Sequence, residues 1–179
     1  MHPHVKKILV SEEEIKKRSL ELGKQITEDY NDSERKPLFI ALLKGSVPFL
    51  AELIKHIDFD LEIDFMDVSS YEGTESLRDI RILKDLDRSI LGESIVLVED
   101  IVDTGRTVKE VTRLLMNKGA TDVRVVSLLD KPSRREVEVS IDYIGFEIPN
   151  EFVIGFGLDF NELYRNLPFV GVLKDECYK

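Results

Sequence analysis

Residues 96–107 have the sequence VLVEDIVDTGRT, and this stretch decides the fold predicted for the chain. An apolar run followed by Glu99 and Asp100 predicts a buried strand with two carboxylates directly after its carboxyl end. Residues 103–107, DTGRT, predict a tight turn that opens a helix. Because the first N–H groups of a helix favour an anion, this turn predicts a phosphate site. The two carboxylates require a different partner, either a cation or the hydroxyl groups of a sugar.

The segments around this stretch predict an α/β fold. A capping box of Ser11 and Glu14 opens an amphipathic helix over residues 12–30, and further helices are predicted at 47–54 and 108–118. Apolar or alternating runs predict strands at 38–43, 61–68, 80–84, 123–129, 141–146, 152–156 and 169–173. The strands at 61–68 and 80–84 are predicted to pair as a hairpin across a polar loop, residues 69–76. The order of elements predicts a mostly parallel central sheet flanked by helices, with a small β-rich lobe.

Composition excludes several classes of protein. The 179 residues carry 35 acidic and 25 basic side chains, a formal net charge of −10, which opposes binding to nucleic acid through bulk electrostatics. The single cysteine, Cys177, cannot form a disulfide within the chain, so we expect a cytoplasmic protein. No apolar run is long enough to suggest a membrane span or a signal peptide.

The turn at residues 103–107 has two interpretations from its residues alone. Gly105 would allow a ligand to approach the backbone closely, and Thr104 and Thr107 could donate hydrogen bonds to phosphate oxygens. Alternatively, Asp103 and Thr104 only cap a helix, and the acids before them are solvated. The stretch lacks the GxxxxGK[ST] pattern of a Walker A loop, and the GFG at 155–157 lacks the third glycine of a dinucleotide site.

Several stretches together carry a resemblance to a known family. VLVEDIVDTGRT resembles the phosphoribosyl-pyrophosphate (PRPP) binding motif of the type I phosphoribosyltransferases. LLKGS at 42–46 is similar to the pyrophosphate loop of the hypoxanthine-guanine members, and Ser70-Tyr71 is similar to a pair in their mobile loop. SLLDK at 127–131, FEIP at 146–149 and VIGFGLDFNE at 153–162 are similar to their base-binding segments. The resemblance extends over residues 38–167.

The resemblance implies a type I phosphoribosyltransferase fold, with residues 1–179 as one domain whose hood lobe comes from the N- and C-terminal segments. It implies that PRPP phosphate and ribose contact Glu99, Asp100, Asp103, Thr104, Gly105, Arg106 and Thr107. Asp103 would also be the catalytic residue, near N7 of a purine. The purine would contact Lys131, Phe152, Val153 and Asp159, with Lys131 donating to the 6-oxo group. Pyrophosphate would contact Leu43, Lys44, Gly45 and Arg165, and the Leu43–Lys44 peptide would be cis.

The resemblance further implies Mg²⁺, held by Glu99, Asp100 and Asp159. The expected reaction is transfer of the phosphoribosyl group from PRPP to N9 of hypoxanthine or guanine, which gives IMP or GMP and pyrophosphate in purine salvage. The expected assembly is a homodimer or homotetramer. Two alternatives stay open: a xanthine-guanine preference, and a nucleotide-sensing relative that binds RNA instead of catalysing transfer.

Overall fold

The computed structural model describes residues 2–70 and 80–178. Its strands and helices follow in the order β1 (Val5–Val10), α1 (Glu12–Asp29), β2 (Leu38–Leu42), α2 (Val47–Leu53), β3 (Glu62–Ser70), β4 (Ile80–Lys84), β5 (Ser94–Val102), α3 (Arg106–Asn117), β6 (Asp122–Asp130), β7 (Tyr143–Glu147), β8 (Val153–Ile154) and β9 (Val170–Leu173). Short 3-10 turns cover Ile54–His56, Pro132–Arg134 and Asp175–Cys177. The predicted capping box is present, since the Ser11 hydroxyl accepts from the Glu14 N–H and the Glu14 carboxylate accepts from the Ser11 N–H.

Six strands form the central sheet in the order β4-β3-β2-β5-β6-β7. All neighbours pair in parallel except β3 and β4, which are antiparallel as the hairpin prediction requires. The α/β class with a mostly parallel sheet is therefore confirmed. The carboxyl ends of β2, β5, β6 and β7 lie at one edge of this sheet, which is where open α/β sheets bind ligands.

The two faces of the sheet are covered by different helices. Alternate residues of a strand point to opposite faces, and in β2 Phe39 packs with α1 and α2 while Ile40 packs in the cluster that contains α3. This two-sided burial explains why β2 and the first part of β5 are continuous apolar runs. The sheet is thus held rigidly from both sides at the edge where the loops of the site begin.

A second sheet of three antiparallel strands, β1-β9-β8, joins the two ends of the chain. β1 is not predicted from the sequence. Register shifts between Val5 and Lys7 and between Ile8 and Val10 interrupt its pairing with β9, so its burial does not follow a simple alternation. Hydrophobic residues of this sheet, including Val10, Val153 and Val172, join the core that α1 covers.

Three predicted boundaries near the site are wrong. β3 continues to Ser70, so Ser69 and Ser70 belong to the strand and not to the loop predicted at 69–76. The central strand continues to Val102, so Glu99 and Asp100 lie within β5 and only Asp103 follows its end. The strand predicted at 152–156 is limited to Val153–Ile154, because the backbone leaves the extended conformation at Gly155 (φ 96°) and Phe156 (φ 49°). Within the described part of the chain, no helix combines the length and apolar character needed to cross a membrane.

Candidate active site

Two adjacent cavities lie at the carboxyl edge of the central sheet. The first, of about 210 Å³, is lined by the ends of β2 and β5 and by the turn that opens α3. The second, of about 360 Å³, is lined by Lys131, by residues 150–153 and by Leu158. Ile101 and Asp103 line both cavities. The two cavities are therefore parts of one site that meet at Asp103.

The turn at the first cavity has the geometry of an anion site. Gly105 is the residue before α3 and has a φ of 85°, which favours glycine because a side chain would be strained there. No side chain caps α3, so its first N–H groups are available to a ligand. The exception is the Arg106 N–H, which donates to the Thr104 hydroxyl at 3.3 Å. The Thr104 hydroxyl thus contacts the start of α3, as the capping alternative expects, but among the described residues no N–H of α3 donates to the Asp103 carboxylate.

Glu99 and Asp100 are not the solvated acids of that alternative. Glu99 is 6% exposed, and burial, followed by the nearby charge of Asp100, raises its pKa well above the ordinary value. Burial also raises the pKa of Asp100 to about 6, although one of its oxygens accepts from the Ile101 N–H at 2.7 Å. Within the described ranges, neither carboxylate has an ion-pair partner. A buried carboxylate beside a half-buried one, neither with an ion-pair partner among these residues, fits a divalent cation.

Asp103 is exposed by comparison and is held by the segment after β6. The Arg134 Nε donates to its carboxylate at 3.1 Å, and an Arg135 N–H donates to its backbone carbonyl at 2.9 Å. Arg135 also pairs with the buried carboxylate of Asp130 at the end of β6. The N–H of Glu136 donates to the Thr104 carbonyl at 3.0 Å. Residues 134–136 therefore hold the turn between β5 and α3 in place and link it to β6, which Lys131 follows.

Lys131 lies in the second cavity with its side chain unsatisfied. It is 7% exposed, and burial lowers its pKa. Its N–H donates to the Val102 carbonyl at 3.0 Å, which fixes its backbone to the end of β5. Among the described residues, the Lys131 ammonium has neither a hydrogen-bond partner nor an ion-pair partner. A ligand with an acceptor atom in this cavity would therefore receive a hydrogen bond from it. Phe152 and Val153 line the same cavity, as predicted for a base pocket.

Lys44 and Arg165 share one carboxylate, that of Glu162. The Lys44 Nζ lies 2.7 Å from one Glu162 oxygen, and an Arg165 nitrogen lies 3.0 Å from the other. Arg165 also lies 3.2 Å from Asp159 and donates to the Gly157 carbonyl at 2.7 Å. The Leu43–Lys44 peptide is cis. Two cations that converge on one anionic group are suited to a pyrophosphate.

The remaining predicted residues divide into several groups. The Arg106 side chain pairs with Glu136 at 2.7 Å and does not line either cavity, so its contact with the phosphate stays a prediction. Asp159 accepts from the Glu162 N–H at 2.9 Å and pairs with Arg165. The described residues contain no cluster of three or more metal-ligating side chains, so a cation ligand at Asp159 stays a prediction. Of the predicted mobile-loop pair, Ser70 ends β3, and Tyr71 lies outside the described residues.

Arg134, Arg135 and Glu162 are the residues that the sequence interpretation missed. The basic run at 131–135 is visible in the sequence, but a short cluster of charges after a strand is ordinarily a solvated surface. Only the fold reveals that this run lies against the turn after β5.

Comparisons with known proteins show the family of the chain. The model of the family described as "Phosphoribosyl transferase domain" matches residues 7–161, and the chain belongs to that family. The chain is 57% identical over 175 residues to hypoxanthine-guanine phosphoribosyltransferase of Lactococcus lactis subsp. lactis (strain IL1403), with 97% of this chain and 94% of the relative covered. The chain thus groups with the hypoxanthine-guanine phosphoribosyltransferases of the family.

Solved structures support the same placement. A crystal structure of a hypoxanthine phosphoribosyltransferase from Staphylococcus aureus has a TM-score of 0.93 and 49% identity, covering 100% of this chain and 97% of that one. Hypoxanthine phosphoribosyltransferase from Trypanosoma cruzi, in complex with the product IMP, has a TM-score of 0.94 and 38% identity, covering 99% of each chain.

Proposed function

We propose that the chain transfers the 5-phosphoribosyl group of PRPP to N9 of hypoxanthine or guanine, giving IMP or GMP and pyrophosphate in purine salvage. The observation that carries this proposal is the meeting of two cavities at Asp103. One cavity offers a helix N-terminus and a carboxylate pair, and the other offers a buried ammonium beside an aromatic ring. A nucleotide has matching parts in the same order: phosphate, sugar hydroxyls and base.

The first cavity would hold the sugar and its phosphate. The turn from Thr104 to Thr107 would donate N–H and hydroxyl hydrogen bonds to the 5-phosphate. Glu99 and Asp100 would accept from the ribose hydroxyls, directly or through Mg²⁺. Magnesium is commonly held by one or two carboxylates together with substrate oxygens, which fits a site with two acids. When bound, the ion would neutralise part of the donor's negative charge.

The second cavity would select the base. The Lys131 ammonium would donate to the 6-oxo group, whereas the 6-amino group of adenine would present another donor to it. An unmatched buried donor is costly, so adenine should be a poor substrate. Phe152 would stack on the ring, Val153 would contact its edge, and Asp159 would stay in the purine-binding set as a prediction. Asp103, at the junction, would hold the proton at N7 as N9 becomes bonded to the sugar.

The loop after β2 and Arg165 would receive the leaving group. Lys44 and Arg165 would exchange their shared Glu162 partner for pyrophosphate oxygens, and the Gly45 N–H would add a donor. The Leu43 N–H already donates to the Met66 carbonyl at 2.8 Å, so Leu43 would only line the pyrophosphate site. Arginine suits this role because its planar fork binds two oxygens at once.

The test is an assay with PRPP, Mg²⁺ and a panel of bases, with nucleotide products separated chromatographically. We expect IMP and GMP, with little AMP, and xanthine serves as the competitor for the alternative preference. Asp103→Asn should lower kcat at least tenfold with a smaller change in the KM for PRPP, because it removes a group that acts during transfer. Equal rates with adenine and hypoxanthine would exclude the role of Lys131, and an unchanged kcat would exclude that of Asp103.

Assembly and location are also proposals. We propose a cytoplasmic homodimer or homotetramer that binds no nucleic acid, and the net charge of −10 supports the last point. Sedimentation velocity of the purified protein distinguishes the two assemblies from a monomer. Retention of RNA at physiological salt, without transfer activity, would favour the regulatory alternative instead.

A further inference from the structure

The Phe152 ring, proposed to stack on the purine, is itself packed by two other aromatic rings. Tyr178 lies nearly parallel to it, with ring centroids 4.9 Å apart and an interplanar angle of 23°. Phe160 meets it edge-on, with centroids 5.6 Å apart and an angle of 88°. Offset stacking and edge-to-face contact are the two arrangements that aromatic pairs prefer. Phe152 therefore lies in a small aromatic cluster.

Tyr178 stacks on Phe152 without lining the cavity that Phe152 lines. Phe152 lines the second cavity and is 38% exposed, whereas Tyr178 is not among the described residues that line it. A flat ring has two faces, and Tyr178 covers one of them. Because Tyr178 does not line the cavity, we infer that the opposite face of the Phe152 ring is the one on which a base would stack.

The C-terminal segment is built to place Tyr178 there. The Leu173 N–H at the end of β9 donates to the Phe152 carbonyl at 2.9 Å, which ties the two segments together. The 3-10 turn Asp175–Cys177 then reverses the chain. At its end, the Tyr178 N–H donates to the Asp175 carbonyl at 3.2 Å, and the Tyr178 hydroxyl donates to the Asp175 carboxylate at 3.1 Å. The ring position is thus fixed by backbone and side-chain contacts.

We propose that Tyr178 is a positioning residue for base binding, which holds the Phe152 ring in its stacking orientation from the face opposite the base. The inference rests on the proposed function and adds a residue to its base subsite. An exposed Phe side chain has more than one rotamer, and a stacked partner favours one of them before the base arrives. A stacked aromatic pair contributes enough to change base affinity by roughly 2- to 12-fold.

The test compares Tyr178→Ala, Tyr178→Leu and Tyr178→Phe. Alanine should raise the KM for hypoxanthine and guanine by roughly 2- to 12-fold, with kcat and the KM for PRPP changed less than twofold. Phenylalanine should come nearest to the wild-type KM, because it keeps the ring and loses only the hydroxyl bond to Asp175, and leucine should restore the KM only in part. Ile8→Ala, in β1 of the same small sheet, is the control for losing an exposed apolar side chain, since Ile8 is 45% exposed. Calorimetric titration with IMP should give the same ranking without turnover.

The outcomes separate the inference from the proposed function. A wild-type protein that transfers phosphoribosyl to bases, with an Ala variant of unchanged base KM and IMP affinity, would overturn the inference alone. Parallel losses in kcat, both KM values and melting temperature would also overturn it, because they indicate a structural role. A wild-type protein that neither makes nor binds IMP would overturn the proposed function, and the inference with it.

Discussion

Gly45 lies so close to Asp100 that a methyl group does not fit between them. A Cβ built on Gly45 would lie 1.7 Å from one carboxylate oxygen of Asp100 and 2.8 Å from its Cγ. On the other side, the Gly157 carbonyl oxygen would be 3.5 Å away, and a Cβ on Gly157 would lie 1.9 Å from the Gly45 carbonyl oxygen. The loop after β2, the end of β5 and the loop after β8 thus meet at two glycines. Gly45→Ala is the perturbation that tests this contact.

The expected effect follows from the distance. To reach ordinary van der Waals separation, the Asp100 oxygen must retreat by roughly 1.5–2 Å, or the loop must move by as much. Displacements of about 1 Å in a reacting assembly cost on the order of 10²-fold in rate. We therefore expect kcat/KM for PRPP to fall about 100-fold. Overpacking of this kind costs about 1–3 kcal/mol in stability, which should leave the variant folded.

The assay is steady-state kinetics with varied PRPP at saturating Mg²⁺ and hypoxanthine, paired with thermal denaturation. Gly92→Ala is the matched control, because Gly92 precedes β5 at the other end of the sheet and has nothing within 4 Å of its built Cβ. Its φ of 77° is unfavourable for alanine, so it should lose about 1–2 kcal/mol of stability with unchanged kinetics. A folded Gly45→Ala enzyme with kcat/KM within threefold of the wild type would refute the reasoning.

Three further perturbations test other parts of the site. Burial raises the pKa of Asp100 to about 6 from an ordinary 3.8. Between these two values the folded metal-free protein binds more protons than the unfolded chain. Its free energy of unfolding, relative to that of Asp100→Asn, should therefore fall as the pH rises from 4 to 6. Chelator-treated samples melted across this range test it, and a pH-independent difference between the two proteins would contradict it. Arg135→Ala leaves the buried Asp130 without its partner, so the free energy of unfolding measured by urea titration should fall by about 2–3 kcal/mol. A variant as stable as the wild type would show that the pair does not contribute to stability. Glu162→Gln removes the carboxylate that competes for the two pyrophosphate cations, so the inhibition constant of pyrophosphate should decrease by about 2- to 5-fold; an increase would show that Glu162 instead orients them.

The sequence was sufficient for the fold class because its signals are local. Continuous apolar runs predict strands buried on two faces, and the DTGRT turn predicts the start of α3; both follow from periodicity and from glycine chemistry. β1 was not predicted because register shifts interrupt the alternation of buried and exposed residues along it. The loop after β8 was not predicted because residues such as Glu162 and Tyr164 adopt positive φ, which their side chains do not indicate.

The candidate site was predictable only where its residues are contiguous with those signals. Glu99 and Asp100 were found, but their burial depends on the neighbouring strands that enclose the end of β5. Arg134 was missed because its importance arises from packing between β6 and the turn after β5, a relation between segments about 30 residues apart. Resemblance to a family supplied ligand roles that local physics does not provide.

The charged groups of the site fall into two electrostatic classes. Some already have internal partners at the surface: Lys44 is paired with Glu162, and Asp103 with Arg134. A ligand that binds them exchanges one ion pair for another. Exposed pairs of this kind are worth about 0.2–1 kcal/mol, so each exchange contributes little net affinity.

Glu99, Asp100 and Lys131 belong to the other class. Burial shifts the pKa of each of these groups in the direction that favours its neutral form. None of the three forms an ion pair among the described residues. The free-energy cost of desolvating these groups is part of folding and is not repeated when a ligand binds. A ligand that pairs with them therefore forms hydrogen bonds to charged groups that contribute about 1.5–3 kcal/mol each. Affinity for the sugar and its cation should therefore reside mainly in the carboxylate pair, and discrimination at the purine 6-position in Lys131. Under the proposed function, the exposed Lys44–Glu162 pair should make a smaller and more salt-sensitive contribution to pyrophosphate binding.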